Sequence, residues 1–253
     1  MKKIDYRGWI IPLVLFAIWF LVTAWKWIDP ALLPAPKDVW LVLLASVQSG
    51  ELYENVMASL LRNTTGFIVG GIIGAGLGLL LGLNVWLDRF FSPTLNAIKH
   101  VAVFAWIPLM IMWFGHGEVS KVIFISLVVF YPVFFNTYDG VKNVPIKVKE
   151  VAQIFQLNAV QTFFKVILPA AAPSIFAGLN IALVFSWVAT VGAEYFFVSA
   201  VGVVNPIMDG QNLFKMEVVL YGMLIIGVVG LVFSKVAQFF EHYNLRWRQA
   251  THK

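Results

Sequence analysis

The sequence contains no cysteine, and only 12% of its 253 residues are charged. The first absence excludes structural disulfides and cysteine-ligated metal or redox centres. The second separates the chain from soluble domains, in which about a quarter of residues are charged and about half are apolar. Here 60% are hydrophobic, more than a core of this size can hide from water. No Gly-x-x-x-x-Gly-Lys-Ser/Thr phosphate cradle, His-Glu-x-x-His pair or Gly-x-Ser-x-Gly elbow occurs, which excludes the Walker-type, zincin-type and hydrolase-type sites those motifs build. The histidines, His100, His116, His242 and His252, are scattered. The net charge of +5 is not gathered into a basic helix or a basic–aromatic stretch, so nucleic-acid binding is set aside. What remains is an integral membrane protein.

What is present is a series of long apolar runs. A helix needs about 20 apolar residues to cross a hydrocarbon core of about 30 Å. Six runs qualify as candidate spans, over residues 9–25, 65–87, 101–114, 119–138, 174–198 and 218–240, the third being short, interrupted by Pro108 and expected to start before His100. The expected fold class is therefore all-α, a polytopic membrane protein with six transmembrane helices, since lipid on all sides demands backbone hydrogen bonds within each segment. The first run follows Met1-Lys2-Lys3 but exceeds a signal-peptide core, and Trp25-Lys26-Trp27 offers no small-residue cleavage site, so it reads as retained. Pro108 and Pro132 are expected to bend their spans.

Basic residues give the orientation. With a cytoplasmic N-terminus, the inner side receives Lys2, Lys3, Arg7, Arg89, Lys99, Lys142, Lys147, Lys149, Lys165, Arg246, Arg248 and Lys253, and the outer side only Lys26, Lys37, Arg62, Lys121 and Lys215. Twelve against five obeys the positive-inside rule and places both termini, and the connection over residues 139–173, in the cytoplasm. Lys235 lies close to the inner surface and is expected to snorkel.

The second run carries Gly66, Gly70, Gly74, Gly78 and Gly82, with Gly71 and Gly76 beside them. Small residues every four positions form a groove into which another helix backbone can press.

Residues 146–167 do not read as a loop. Val148, Val151, Ala152 and Phe155 fall on one apolar stripe, expected to face the chain's own bundle, while Glu150, Ile154 and Leu157 make a second face. The pattern fits equally a helix that docks a partner and one that lies on the membrane surface. Among polar residues in the spans, Asn136, Asn180 and Ser186 either line a path or join helices by hydrogen bonds. Glu194 falls near the outer interface, where it is either a gate residue or simply solvated.

At this point the residues resemble a family. Glu150-Val151-Ala152, then thirteen residues, then Val166-Ile167-Leu168-Pro169 is similar to the EAA signature of type I permease subunits of bacterial ABC importers. The resemblance is closest to the branch serving sulfonate, taurine, nitrate and bicarbonate uptake. It is carried by Leu33-Pro34-Ala35-Pro36, Ser59-Leu60-Leu61-Arg62, Trp113-Phe114-Gly115-His116-Gly117-Glu118 with Lys121, Asn136-Thr137 with Gly140, Ala193-Glu194 and Leu245-Arg246-Trp247-Arg248, in order along nearly the whole chain. Two positions depart from the signature: Val151 stands where it has Ala, and Gln156 where it has Gly. Asn158, the next residue suited to a left-handed turn, is expected to take over that role.

The resemblance implies a single permease domain over residues 1–253 with a cytoplasmic coupling segment over 146–169 between the fourth and fifth spans. Glu150, Val151, Ala152, Ile154, Gln156 and Leu157, closed off by Pro169, would couple the chain to cytoplasmic ATPase subunits. ATP and Mg would bind on those subunits, leaving this chain without a cofactor or an enzymatic role. A homodimer and an external substrate-binding protein are further implied partners. Glu118 and Lys121 are candidate contacts for that binding protein, the alternative being a solvated loop pair. Asn136, Asn180, Ser186 and Glu194 are the candidate path residues. The implied function is import of a small solute, a sulfonate, taurine, nitrate or similar oxyanion, across the bacterial inner membrane by alternating access. An intramembrane enzyme and a non-transporting membrane scaffold are the alternatives.

Overall fold

A computed structural model describes residues 7–198 and 200–244. Lys2, Lys3, Arg246, Arg248, Lys253 and the Leu245–Arg248 stretch lie outside the described residues. Among the described residues all regular structure is helical, in the order α1 (Arg7–Ala24), α2 (Pro36–Ser49), α3 (Glu51–Leu83), α4 (Val85–Ile98), a 3₁₀ turn (Val103–Trp106), α5 (Ile107–Phe114), α6 (Glu118–Lys142), α7 (Ile146–Ile154), α8 (Ala159–Thr162), a π-turn (Phe163–Ile167), α9 (Leu168–Phe196), α10 (Asn205–Asn212) and α11 (Met216–Asn244).

Among the described residues, four stretches are long and apolar enough to cross a membrane: Glu51–Leu83, Glu118–Lys142, Ala159–Phe196 and Met216–Gln238. A fifth is bent, Val85–Ile98 followed by Val103–Phe114 at 93°. The first expected span is helical, with a shorter apolar stretch over Ile10–Ala24.

The third expected span does begin before His100, but its break is not at Pro108. Its helix is only α5, and the chain reaches it through α4 and a sharp bend. Pro108 does not bend this helix but sits in its first turn, where a missing N–H costs nothing. The fifth span also starts earlier than residue 174, because α9 runs through Pro173 from Leu168. Pro169 lacks the N–H that would bond to residue 165, and its ring crowds that carbonyl. The chain answers with the π-turn just before it, where Leu168 N–H bonds to the Phe163 carbonyl.

The described residues divide into two compact units, one within 7–58 and 200–228 and the other within 59–198 and 229–244. In the first unit, Trp19 Nε1 donates to the Pro34 carbonyl at 3.0 Å, Tyr221 Oη to Ser46 Oγ at 2.6 Å, and Gly202 N–H to Asn55 Oδ1 at 2.9 Å.

The second unit is built on α6. Its buried face, Phe124, Ile125, Val129 and Val133, packs with Ala182, Ala189 and Ala193 of α9 and with Ile107 and Met110 of α5. On its other flank lies the glycine series of α3. A Cβ at Gly70 would stand 2.3 Å from the Ser126 carbonyl oxygen, at Gly74 2.9 Å from that of Phe130, and at Gly78 2.8 Å from that of Phe134. Gly66 and Gly82 meet Ile125 and Val141 just as closely. The two backbones therefore touch along the whole series, as a small-residue groove predicts. Gly71 and Gly76 face open space, so they take no part in it. On the α9 side, Gly140 meets Ser174 and Ala171, and Gly178 meets Asn136 and Pro132.

These pairings fix direction. Partners on α3 and α6 rise together, so those helices run parallel; partners on α6 and α9 run in opposite order, so that pair is antiparallel. Between the Arg62 and Gly82 levels lie about 30 Å of helix. Arg62 contacts Glu118, and Gly82 contacts Val141, so residues 84–117 must return the chain across the same distance. The bent α4–α5 pair makes that return in two pieces.

Candidate functional site

Two regions concentrate the polar and exposed chemistry. The first is the connection from α6 to α9. Pro145 is the N-cap of α7, at φ −56°, a value its ring fixes. The helix closes on a Schellman arrangement: Leu157 N–H bonds to the Ala152 carbonyl at 3.1 Å, and Gln156 N–H to that of Gln153 at 2.9 Å. The left-handed residue is Gln156 itself, with φ +52°. The turn has not moved to Asn158, which is extended and caps α8 through a reciprocal pair of hydrogen bonds with Gln161. Asn158 was thus already engaged as an N-cap, a use its short acceptor side chain favours.

A non-glycine left-handed residue carries about 1–2 kcal/mol of strain, partly offset because glycine loses more freedom on folding. Gln156→Gly is therefore expected to stabilise the α7–α8 junction by up to about 1 kcal/mol, read as slower amide hydrogen exchange across residues 150–160, and Gln156→Val to do the reverse.

The inward stripe read from the sequence is not formed. Of Val148, Val151, Ala152 and Phe155, only Ala152 is buried. Ile146, Val151, Ile154 and Phe155 are all exposed, Ile154 at 78%, and Glu150 lies open beside them. A nine-residue helix, about two and a half turns, cannot bury both faces against one neighbour, and the Ala152 methyl permits the single close contact. Leu157 is half-buried and Pro169 is exposed in the first turn of α9.

The second region lies at one end of the α3–α6–α9 group. Arg62 of α3 donates to Glu118 through Nε and, at 2.9 Å, through Nη2. Its Nη1 donates to Glu194 Oε1 of α9 at 2.8 Å, which also accepts from Ser59 Oγ at 2.5 Å. Lys121 Nζ donates to Glu118 Oε1 at 2.9 Å. Glu194 is fully buried and Lys121 is 2% exposed. Two expectations change. Glu194 is not solvated but paired, and Lys121 offers no surface to a docking protein in this arrangement, whereas the Glu118 side chain is 58% exposed.

About one turn further along, Asn63 Nδ2 donates to Ser186 Oγ at 3.1 Å and to Thr190 Oγ1 at 2.9 Å. Ser186 is fully buried and so joins helices in this structure. Asn136 Nδ2 donates to the Pro132 carbonyl of its own helix at 2.8 Å. Asn180 lines, with Ser234 and Gln238, a recess of about 350 Å³ whose other walls are the apolar Ile181, Val184, Phe185 and Ala237.

At the opposite end, sequence reasoning missed a cluster. Asp88 accepts from Ser92 Oγ and Tyr138 Oη, both at 2.5 Å, and from Lys142 Nζ at 2.9 Å. The readable signals were Asn84, which caps α4 through Trp86 and Leu87 N–H, and the Tyr138–Lys142 spacing of four on α6. This ties the short α4 to the far end of α6.

Long apolar helices clasped through glycine, with charges buried only where they pair, define a polytopic helical membrane protein. Comparison with known proteins narrows this class. Residues 55–248 match the family described as "Binding-protein-dependent transport system inner membrane component", and the chain belongs to that family. It is 34% identical to the Bacillus subtilis (strain 168) aliphatic sulfonates transport permease protein SsuC over 244 residues, 96% of this chain and 88% of that protein. It is 31% identical to the Synechococcus elongatus bicarbonate transport system permease protein CmpB over 77% of this chain and 70% of that one. It is 29% identical to the Leptolyngbya laminosa nitrate import permease protein NrtB over 89% and 82% respectively. A solved amino acid ABC transporter with histidines shares the fold, with a TM-score of 0.60 and 17% identity over 79% of this chain and 97% of that one. The chain is thus an ABC transporter permease of the sulfonate, bicarbonate and nitrate type.

Proposed function

We propose that this chain is the membrane-spanning subunit of an ATP-driven importer that moves a small oxyanion, a sulfonate, taurine, nitrate or similar solute, handed over by an external binding protein. As a single permease domain over residues 1–253, it crosses the membrane six times, α1 counting as the first crossing and the α4–α5 pair as the third, with both termini in the cytoplasm. Two copies pair to enclose the path. Cytoplasmic ATPase subunits bind ATP and Mg and supply the power stroke. The names of the relatives support the solute class, and the basic residues gathered at one side support the orientation.

The observation that carries the reading is α7. It leaves Ile146, Val151, Ile154 and Phe155 exposed around Glu150, in a segment strung between two long apolar helices. An apolar face with one acidic group on so short a helix suits a cleft on a partner protein. Gln156 and Leu157 end that helix and Pro169 starts α9, so displacement of α7 is delivered to α9. Alternating access follows when ATPase closure moves paired copies as blocks. Asn136, Asn180, Ser186 and Glu194 are assigned to the path or its gates, Ser186 and Glu194 in the closed arrangement.

The test uses exposed positions, since a charge at buried Ala152 would disturb folding. Glu150→Lys and Ile154→Asp are expected to reduce copurification of the ATPase at least tenfold while the permease still elutes as a single species. Undiminished copurification and uptake would overturn the docking role. Uptake by proteoliposomes separates an importer from a scaffold, which would bind the ATPase without moving solute.

A further inference from the structure

From the geometry of the ion cluster we infer that Arg62 and Lys121 form an oxyanion-binding site, and that the Glu118 carboxylate occupies it as a built-in surrogate that the transported anion displaces. This rests on the oxyanion reading above.

The site is already shaped around a planar anion. Arg62 presents Nε and Nη2 to the two carboxylate oxygens of Glu118, the paired geometry by which guanidinium recognises carboxylate and other oxyanions. Lys121 Nζ adds a third donor to Glu118 Oε1 at 2.9 Å. Both cations are more than nine-tenths buried, while the Glu118 side chain is 58% exposed. The donors are therefore fixed, and the acceptor is the member free to leave.

Position supports the same reading. Glu118 is the first residue of α6, directly after Gly115-His116-Gly117, with Gly115 in the left-handed region at φ +73°. A glycine-flanked turn allows the carboxylate to swing aside. The vacated space lies at the N-terminus of a long helix, whose free N–H groups favour an anion.

Charge settles what would enter. Two cations face two carboxylates in the cluster. Glu194 is fully buried and held by Arg62 Nη1 and Ser59, so it stays. Moving Glu118 away takes one negative charge from the two buried cations it bonds, and a monoanion restores it. Bicarbonate, nitrate and a sulfonate head match in charge, and their oxygens can accept from the same three donors. Returning Glu118 then competes the anion off, which turns binding into release.

The experiment uses the full-length permease purified with its ATPase and titrated with methanesulfonate, nitrate and bicarbonate. Glu118→Gln keeps shape at an exposed position but cannot compete as an anion. It is expected to bind at least one of the three about tenfold more tightly, read as a larger anion-dependent rise in melting temperature. In proteoliposomes supplied with the external binding protein it is expected to lower both KM and the maximal uptake rate, since release is slowed. Adding Lys121→Gln to Glu118→Gln is expected to abolish the gain. Equal anion affinity for Glu118→Gln and the unchanged chain would overturn the site. Failure of the unchanged transporter to take up any oxyanion would instead overturn the proposed solute class, so the two readings fail separately.

Discussion

Gly70→Leu is expected to leave almost no folded protein, whereas Gly71→Ala and Gly76→Ala are expected to behave like the unchanged chain. At Gly70 even a single added carbon would lie 2.3 Å from a backbone oxygen of α6, with Ser126 Cα at 2.9 Å. Backbone cannot rotate away as a side-chain tip can, so the helices must separate. Separation surrenders the close packing that holds helices together where no water drives them to associate. Overpacking costs about 1–3 kcal/mol even where side chains can yield, and this site allows less relaxation. Added carbons at Gly71 and Gly76 meet nothing within 4 Å. Monodispersity and melting temperature of detergent-purified variants check the contrast. A folded Gly70→Leu protein would mean that α3 and α6 do not touch in the membrane.

Arg62→Met is the second large effect. It removes the guanidinium that pairs with Glu194, a carboxylate that is fully buried. Removing one member of a buried ion pair costs about 3–5 kcal/mol, because the other charge stays desolvated and uncompensated. Replacing both members with apolar residues is often neutral. Arg62→Met with Glu194→Met is therefore expected to recover most of the lost melting temperature while impairing uptake. If the double variant is no more stable than Arg62→Met alone, the pair is not the source of the loss.

The helices were readable wherever apolar residues ran unbroken, because hydrocarbon enforces both composition and backbone pairing. Their true lengths were not. The expected second span began at residue 65, but α3 starts at Glu51; polar residues such as Arg62 and Asn63 are hidden by partners that no local window can show. Arg62 and Glu194 are 132 positions apart. The glycine series announced close packing but not its partner, since spacing carries no information about which helix fills a groove. The bend between α4 and α5 was misplaced because Pro108 marks the obvious break in the 101–114 run, whereas the chain turns between Ile98 and Val103, ahead of it. At α7 the helix itself was legible, but period alone cannot say which stripe is covered. In the ion cluster, Glu118, Lys121 and Glu194 each stood out as charges flanking apolar segments, yet their meeting depends on the register set by the glycines.

The contacts of Gly140 and Gly178 lock α6 to α9 over the stretch nearest α7. A short helix whose two anchors are bolted to each other has no backlash. Under the coupling role proposed for α7, a push on it cannot be absorbed by one anchor sliding past the other, so α6 and α9 must move as one slab.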